Sequence, residues 1–272
     1  MEVEPDGTLT TEVRDYVRPV MGGLQINFVR NGQVRDCTLG VNAYYSNTYV
    51  GVPVGTSGFF TASHCSVSQG ATDGTVWSQG GVRIGYEMYD PPFFTQAQYA
   101  GCPPLNNCRW SDVTFAAYDA GVNRQHGAIA QTLDKTTQWD NGTIQNALAG
   151  SRIIKTTWPT FTINQTTTPP VMGVYWDKVG RTTGWTSGPV ARTCTDAYVS
   201  QDGFATWNRL CQEYVSFFSQ GGDSGGSVFV PTGQTTAAFA GIVWFWSGRF
   251  TYVSSIDRIR DDFGYGIHYS SY

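Results

Sequence analysis

Charge is scarce in this chain of 272 residues: 14% are Asp, Glu, Lys or Arg, and 17 basic against 21 acidic residues give a formal net charge of −4. A chain that grips nucleic acid through its phosphates needs a basic face, and this balance offers none. No run of about 18 apolar residues occurs, so no membrane-spanning helix is expected. Six cysteines are present, none in a Cys-x-x-Cys pair, which argues against a zinc site and for disulfides in an oxidising compartment. Six reduced, buried thiols are the alternative. The opening Met1-Glu2-Val3-Glu4-Pro5-Asp6 is acidic and polar, unlike a secretory leader, so a secreted form would have had its leader removed.

What the chain does have is glycine, 32 residues of it, and 14% aromatics, a composition that suits turns and strands better than helices. The densest punctuation is Gly221-Gly222-Asp223-Ser224-Gly225-Gly226. Glycine is used where φ must be positive or the backbone must approach another group. Four glycines around one hydroxyl suggest a tight turn that exposes Ser224 and aims backbone N–H groups at a nearby anion. A surface turn with an incidental serine is the plainer reading. Two upstream stretches weigh against it: Phe59-Phe60-Thr61-Ala62-Ser63-His64-Cys65, and Ser111-Asp112-Val113-Thr114-Phe115, where an aspartate opens an alternating strand.

With Thr61-Ala62-Ser63-His64-Cys65 and Gly222-Asp223-Ser224-Gly225-Gly226 in this order, the chain resembles the chymotrypsin-like serine endopeptidases, in their bacterial form, over about 22–263. The resemblance implies an all-β fold of two six-stranded antiparallel β-barrels with a short C-terminal helix. It implies Ser224 as nucleophile, His64 as its base and Asp112 as the group that orients the imidazole, with the N–H groups of Gly222 and Ser224 as oxyanion hole. Asp90, Asp119 and Asp140 are weaker candidates for the aspartate, and His126 and His268 lack a surrounding motif. No metal and no cofactor are expected.

The resemblance also implies a Cys37–Cys65 bridge. Cys102 and Cys108 flank a small loop that a bridge would pin, and Cys194 and Cys211 are left for each other. Animal members pair the aspartate before the nucleophile with a freed amino terminus; bacterial members use an internal cation. Asp223 is therefore expected to pair with Arg181, or secondarily with Lys178. The side pocket falls near Phe218 and Ser219, where trypsin-like members carry an aspartate and this chain does not. Its wall, Gly-Ile-Val-Ser-Trp-Gly in the family, reads Gly241-Ile242-Val243-Trp244-Phe245-Trp246 here. Trp244 and Trp246 replace the serine and the last glycine, which favours a small or apolar side chain before the scissile bond.

Along the chain, residues 1–20 read as an N-terminal arm with a short helix or extended segment near Thr11–Val17. The first barrel is expected over 21–122, with strands at 21–28, 41–45, 58–62, 82–86 and 113–118. Residues 86–99 read as a loop on the substrate side. Residues 123–170 are less legible and are read as an inter-barrel insertion, with 160–168 a hairpin or linker. Sequons occur at Asn141 and Asn164. The second barrel and the C-terminal helix are expected over 171–272, with strands at 173–179, 214–218, 227–230 and 237–244. Ser254-Ser255-Ile256-Asp257 matches a capping box, Ile256, Ile259 and Phe263 share a face, and Gly264 is a stop.

Together these features point to a secreted, monomeric endopeptidase acting on polypeptide, with no nucleic-acid or membrane partner. A hydrolase of the same fold acting on an ester or one narrow amide is the second possibility. A catalytically silent binding protein is the third.

Overall fold

The computed structural model describes residues 10–46, 51–137, 149–167, 169–199 and 207–269. Asp140 and the sequon at Asn141 lie outside these residues.

In chain order the strands are β1 (Val20–Gly22), β2 (Gln25–Arg30), β3 (Gln33–Thr38), β4 (Val41–Tyr45), β5 (Ser57–Ala62), β6 (Val76–Gln79), β7 (Val82–Tyr89), β8 (Cys108–Arg109), β9 (Val113–Tyr118), β10 (Arg124–Ala130), β11 (Thr136–Thr137) and β12 (Thr160–Thr166). The second half holds β13 (Tyr175–Gly180), β14 (Gly184–Val199), β15 (Trp207–Val215), β16 (Ser227–Pro231), β17 (Thr236–Trp246), β18 (Thr251–Ser255), helix α1 (Ile256–Phe263) and β19 (Ile267–His268).

Antiparallel pairing joins β2 to β3, β4 to β5, β5 to β9, β9 to β7, β7 to β6 and β6 back to β2. Leu39 and Gly40 weld β3 and β4 into one bent strand: Leu39 N–H donates to Leu24 on one side and Gly40 N–H to Phe60 on the other, each at 2.8 Å. Six strands thus form a closed circuit. A Cβ on Gly40 would lie 2.3 Å from Ile242 Cδ1 and 2.6 Å from Gly225 O, so only glycine lets this corner touch the Ser224 turn. The second circuit runs β13, β14, β15, β18, β17, β16 and back to β13, all antiparallel. Closure removes unpaired strand edges. Phe59 packs on Trp77 from one face of β5, Phe60 packs on Phe115 and on Phe263 of α1 from the other, and the run Ala237–Trp244 in β17 is buried throughout, as its uninterrupted apolar sequence requires.

Several local expectations change. The arm forms no helix among the described residues; Val13 donates to Arg152 O and accepts from Gln25 N, so it is extended and docked. The 21–28 strand is split at Gly23, whose φ is +88°. Residues 160–166 are a strand rather than a linker: β12 pairs with β10 and, in parallel, with β17, so part of 123–170 extends the second sheet. Val215 ends β15, so 216–218 are not strand, whereas the 16-residue β14 and its partner β15 were not anticipated. The chain end returns to the first sheet, where β19 pairs with β4. Helix α1 buries Ile256, Ile259 and Phe263 and stops at Gly264. Its cap position is Ser255 rather than Ser254, and it makes no side-chain cap bond because its hydroxyl bonds Glu213.

All six cysteines pair, Cys37 with Cys65, Cys102 with Cys108 and Cys194 with Cys211. Among the described residues no helix is long and apolar enough to cross a membrane.

Candidate active site

Strand β5 ends in a short turn, Ser63–Cys65, that carries His64. The turn is held by the Cys37–Cys65 bridge, by Trp77 Nε1–H donating to Cys65 O at 3.0 Å and by Ser63 N–H donating to Asp112 O at 3.0 Å. Asp112 lies at the mouth of β9, and its N–H donates to Ser254 Oγ at 3.0 Å. Its neighbour Ser111 is clamped by Asp262 of α1 through N–H (2.7 Å) and Oγ–H (2.6 Å).

His64 Nδ1 lies 2.7 Å from Asp112 Oδ2, and both side chains are buried. An ionised carboxylate only accepts, so Nδ1 is the nitrogen that presents its proton to Asp112. Burial opposes ionisation of Asp112, but the Arg209 guanidinium and then His64 outweigh it and hold the carboxyl at about 2. Arg209 lies 3.5 Å from Asp112 Oδ2, and burial pulls its own pKa down to about 10. Asp112 Oδ1 accepts from Gln69 Nε2 at 2.9 Å, and Gln69 is itself fixed by Trp207 Nε1–H at 3.0 Å.

Ser224 sits in a turn whose carbonyls are committed. Gly221 O accepts from Thr182 Oγ1, Gly222 O from Thr38 Oγ1 and Ser224 O from Thr38 N, each at 2.8 Å. With φ at +95°, Gly222 occupies a conformation that suits glycine. Among the described residues the N–H groups of Gly222 and Ser224 donate to no protein acceptor. Ser224, His64, Ser219, Gly222, Trp244 and Trp246 all line one cavity of about 560 Å³. No hydrogen bond joins Ser224 Oγ to the imidazole among the described residues, a contact that resting enzymes often hold long.

Asp223 is fully buried beneath this turn, and its partner is Lys178, not Arg181: Nζ stands 3.1 Å from Oδ2. The remaining lone pairs accept from Thr182 N (2.8 Å), Thr183 N (3.1 Å), Thr183 Oγ1 (2.6 Å) and Gln220 N (3.0 Å). Burial lowers the Lys178 pKa against the pull of Asp223. Arg181 fails as partner because it rides at the tip of the β13–β14 hairpin. Its side chain crosses to the first ring, donating from Nε to Gln25 Oε1 at 2.7 Å and pairing with Asp36 at 3.2 Å.

Where the side pocket is expected, Ser219, Trp244 and Trp246 line the cavity but Phe218 does not; the Phe218 ring meets Trp246 edge-on at 5.7 Å, and Ser219 Oγ lies 2.7 Å from Thr251 Oγ1. Trp244 is wholly buried and packs its face on Arg209, 4.2 Å from the ring centroid.

Of the competing groups, Asp90 is tied to Arg109 at 2.7 Å and Asp119 to Arg83 at 2.7 Å. His126 bonds Ser57 Oγ and His268 stacks on Tyr44, away from the cavity. The 90–99 loop packs Phe93 on Trp207 and Phe94 on Trp110. Sequence reasoning missed Gln69, Trp207, Arg209 and Ser254. No local motif marks them, because they come to Asp112 from three separate segments, Trp207 only through Gln69.

No family model matches the chain, and no curated protein matches it. Solved structures do. A Nocardiopsis protease is 18% identical, with 92% of this chain and 97% of that one covered at a TM-score of 0.56. Protease A of Thermobifida fusca is 15% identical (93% and 99% covered, TM-score 0.55), and a chymotrypsin of Cellulomonas bogoriensis is 17% identical (93% and 99%, TM-score 0.54). At such identities the likeness is one of architecture: the chain has the two-barrel fold of the bacterial chymotrypsin-like serine proteases.

Proposed function

We propose that the chain is a secreted serine endopeptidase. The observation that carries this reading is the 2.7 Å His64–Asp112 contact at the edge of the cavity that Ser224 lines, with two uncommitted amides beside the serine. Ser224 Oγ attacks the peptide carbonyl carbon while its proton passes to His64 Nε2. The N–H groups of Gly222 and Ser224 receive the oxyanion; removing one such donor typically costs about 3 kcal/mol in the transition state. The C–N bond then breaks, the amine leaves with the proton from His64, and water, deprotonated by the same imidazole, releases the acyl group. Asp112 holds the ring and stabilises the imidazolium.

Trp246 against Phe218 narrows the side pocket, which favours a small or apolar residue before the scissile bond. The same contact supports a second reading, an esterase or narrow amidase. Three disulfides fit an oxidising, extracellular setting.

Hydrolysis of unfolded casein by wild type and Ser224→Ala, with intact-mass detection of fluorophosphonate on Ser224, tests both readings. Cleavage and labelling that vanish together in the variant are expected. Labelling with intact casein moves the assignment to the narrow substrate. Neither labelling nor cleavage overturns the hydrolase and leaves the binding protein.

A further inference from the structure

The cavity at Ser224 is electrically lopsided. The half on the side-pocket flank, lined by Ser219, Gln220, Val243, Trp244, Phe245 and Trp246, holds no ionisable side chain. The half beyond His64 and Ser224 is lined by Phe28, Arg30, Val34, Arg35, Asp36 and Arg181. Three arginines therefore face one aspartate, in a chain whose net charge is −4.

The β2–β3 hairpin explains the clustering. Antiparallel partners share a face, and Phe28 is paired with Arg35 while Arg30 lies two residues on from Phe28. Phe28 and Arg30 are buried at 3% and 6% exposure, so this face is turned toward the molecule, and Arg35 stands at its solvent edge. Arg30 is braced by donating to His64 O at 3.3 Å. Arg181 is pinned by Gln25 and Asp36, and its Nη1 lies 2.9 Å from where a Cβ on Gly222 would stand. Asp36 thus offsets Arg181. Arg35 donates to the neutral amide oxygen of Gln33 at 3.0 Å and meets no carboxylate among the described residues.

If the residue before the scissile bond enters the Trp246 pocket, the rest of the groove receives the residues beyond that bond. We infer that this leaving-group half is a carboxylate subsite: the enzyme favours substrates with a carboxylate within the first three residues after the scissile bond. The source is an Asp or Glu side chain or the α-carboxylate of a chain end. Guanidinium planes match carboxylates bidentately, and Arg35 is the arm free to close on one. This inference rests on the hydrolase reading above.

The test uses internally quenched peptides with one common acyl half and Glu or Gln at each of the first three leaving-group positions. A further pair ends, three residues past the bond, in a free acid or an amide. A peptidyl p-nitroanilide with the same acyl half carries no residue past the bond. The expected result is a preference for Glu over Gln in kcat/KM of about threefold to tenfold at one position, or for the free acid over the amide. That ratio falls toward one as salt rises from about 0.02 to about 0.5 M, because the pairing is screened. It also falls to one in Arg35→Gln, and Arg35→Glu reverses it in favour of Gln. Each ratio is internal to one enzyme, so a general loss of activity or stability does not imitate it. Turnover of the p-nitroanilide with equal rates for every acid and neutral pair overturns the subsite and leaves the hydrolase standing. Failure to cleave the p-nitroanilide or any peptide overturns the hydrolase reading and the subsite together.

Discussion

Arg209 reaches Asp112 from β15 of the second ring, which pairs with β8 beside the aspartate, and stands 3.5 Å from the same carboxylate oxygen that holds His64. Its guanidinium is clamped between the Trp207 ring, 3.7 Å from the centroid, and the Trp244 ring at 4.2 Å. Trp244, at the end of the buried run in β17, is therefore one jaw of the clamp on the aspartate's cation.

Replacing Arg209 by Met leaves Asp112 buried without its largest opposing charge. Breaking a buried pair in this way costs about 3–5 kcal/mol. In wild type the carboxyl sits at about 2, below its usual range near 3.9. A depressed value lends stability above the unfolded pKa, and that contribution is lost as pH falls through 2. In Arg209→Met this contribution shrinks, so the penalty is larger at pH 6 than at pH 3. Urea midpoints across that interval measure it; a penalty independent of pH would contradict the pairing.

Lys178→Met strands Asp223 in the same manner. We expect a loss of about 3–5 kcal/mol and collapse of fluorophosphonate labelling, since the carboxylate anchors the turn that presents Ser224. Arg181→Ala, which breaks a partly exposed pair, costs about 1 kcal/mol. Thermal melts of the two variants side by side decide which cation carries Asp223.

Trp246→Gly removes the ring that lines the Ser224 cavity against Phe218, which the proposed reading makes the wall of the side pocket. The ratio of kcat/KM for Phe over Ala before the scissile bond should rise about tenfold or more. An unchanged ratio in a peptide-library profile would place the selectivity elsewhere.

Glu87 is buried beside Asp90, and burial followed by that neighbouring charge pushes its carboxyl up to about 9. It accepts from Thr114 Oγ1 at 2.9 Å and from Asp73 N at 2.7 Å. Raised above an unfolded value near 4.3, it lends stability that is full below that pH and is lost as pH climbs toward 9. Glu87→Gln, neutral throughout, should flatten this slope. The fall in Tm between pH 6 and 9 should be smaller than in wild type by at least about 3 °C.

Residue order was enough to read the fold class, the strands around the motifs and the terminal helix. Alternation reads directly as strand at Val113–Tyr118, although packing buries all of it but Tyr118, and an unbroken apolar run reads as doubly buried strand in β17. The glycines around Ser224 announce a turn because their φ freedom is a local property. Residues 160–166 were opaque because threonine-rich polar sequence becomes strand only when β10 and β17 are present to pair with it. β14 and β15 were opaque because their polar positions give no clean period, and long-range ladder bonds and a disulfide hold them.

Only the tertiary structure decided which cation meets Asp223 and what surrounds Asp112. Lys178 and Arg181 are three residues apart, and a strand that pairs Lys178 with Val228 while the hairpin tip swings Arg181 toward Asp36 separates their fates. Gln69 and Arg209 meet the Asp112 carboxylate, Trp207 fixes Gln69, and Ser254 takes the Asp112 N–H. The motifs name the reacting groups because that chemistry demands fixed residue types. The charges that tune and anchor those groups act through space, and their positions are set by the packing of the two rings.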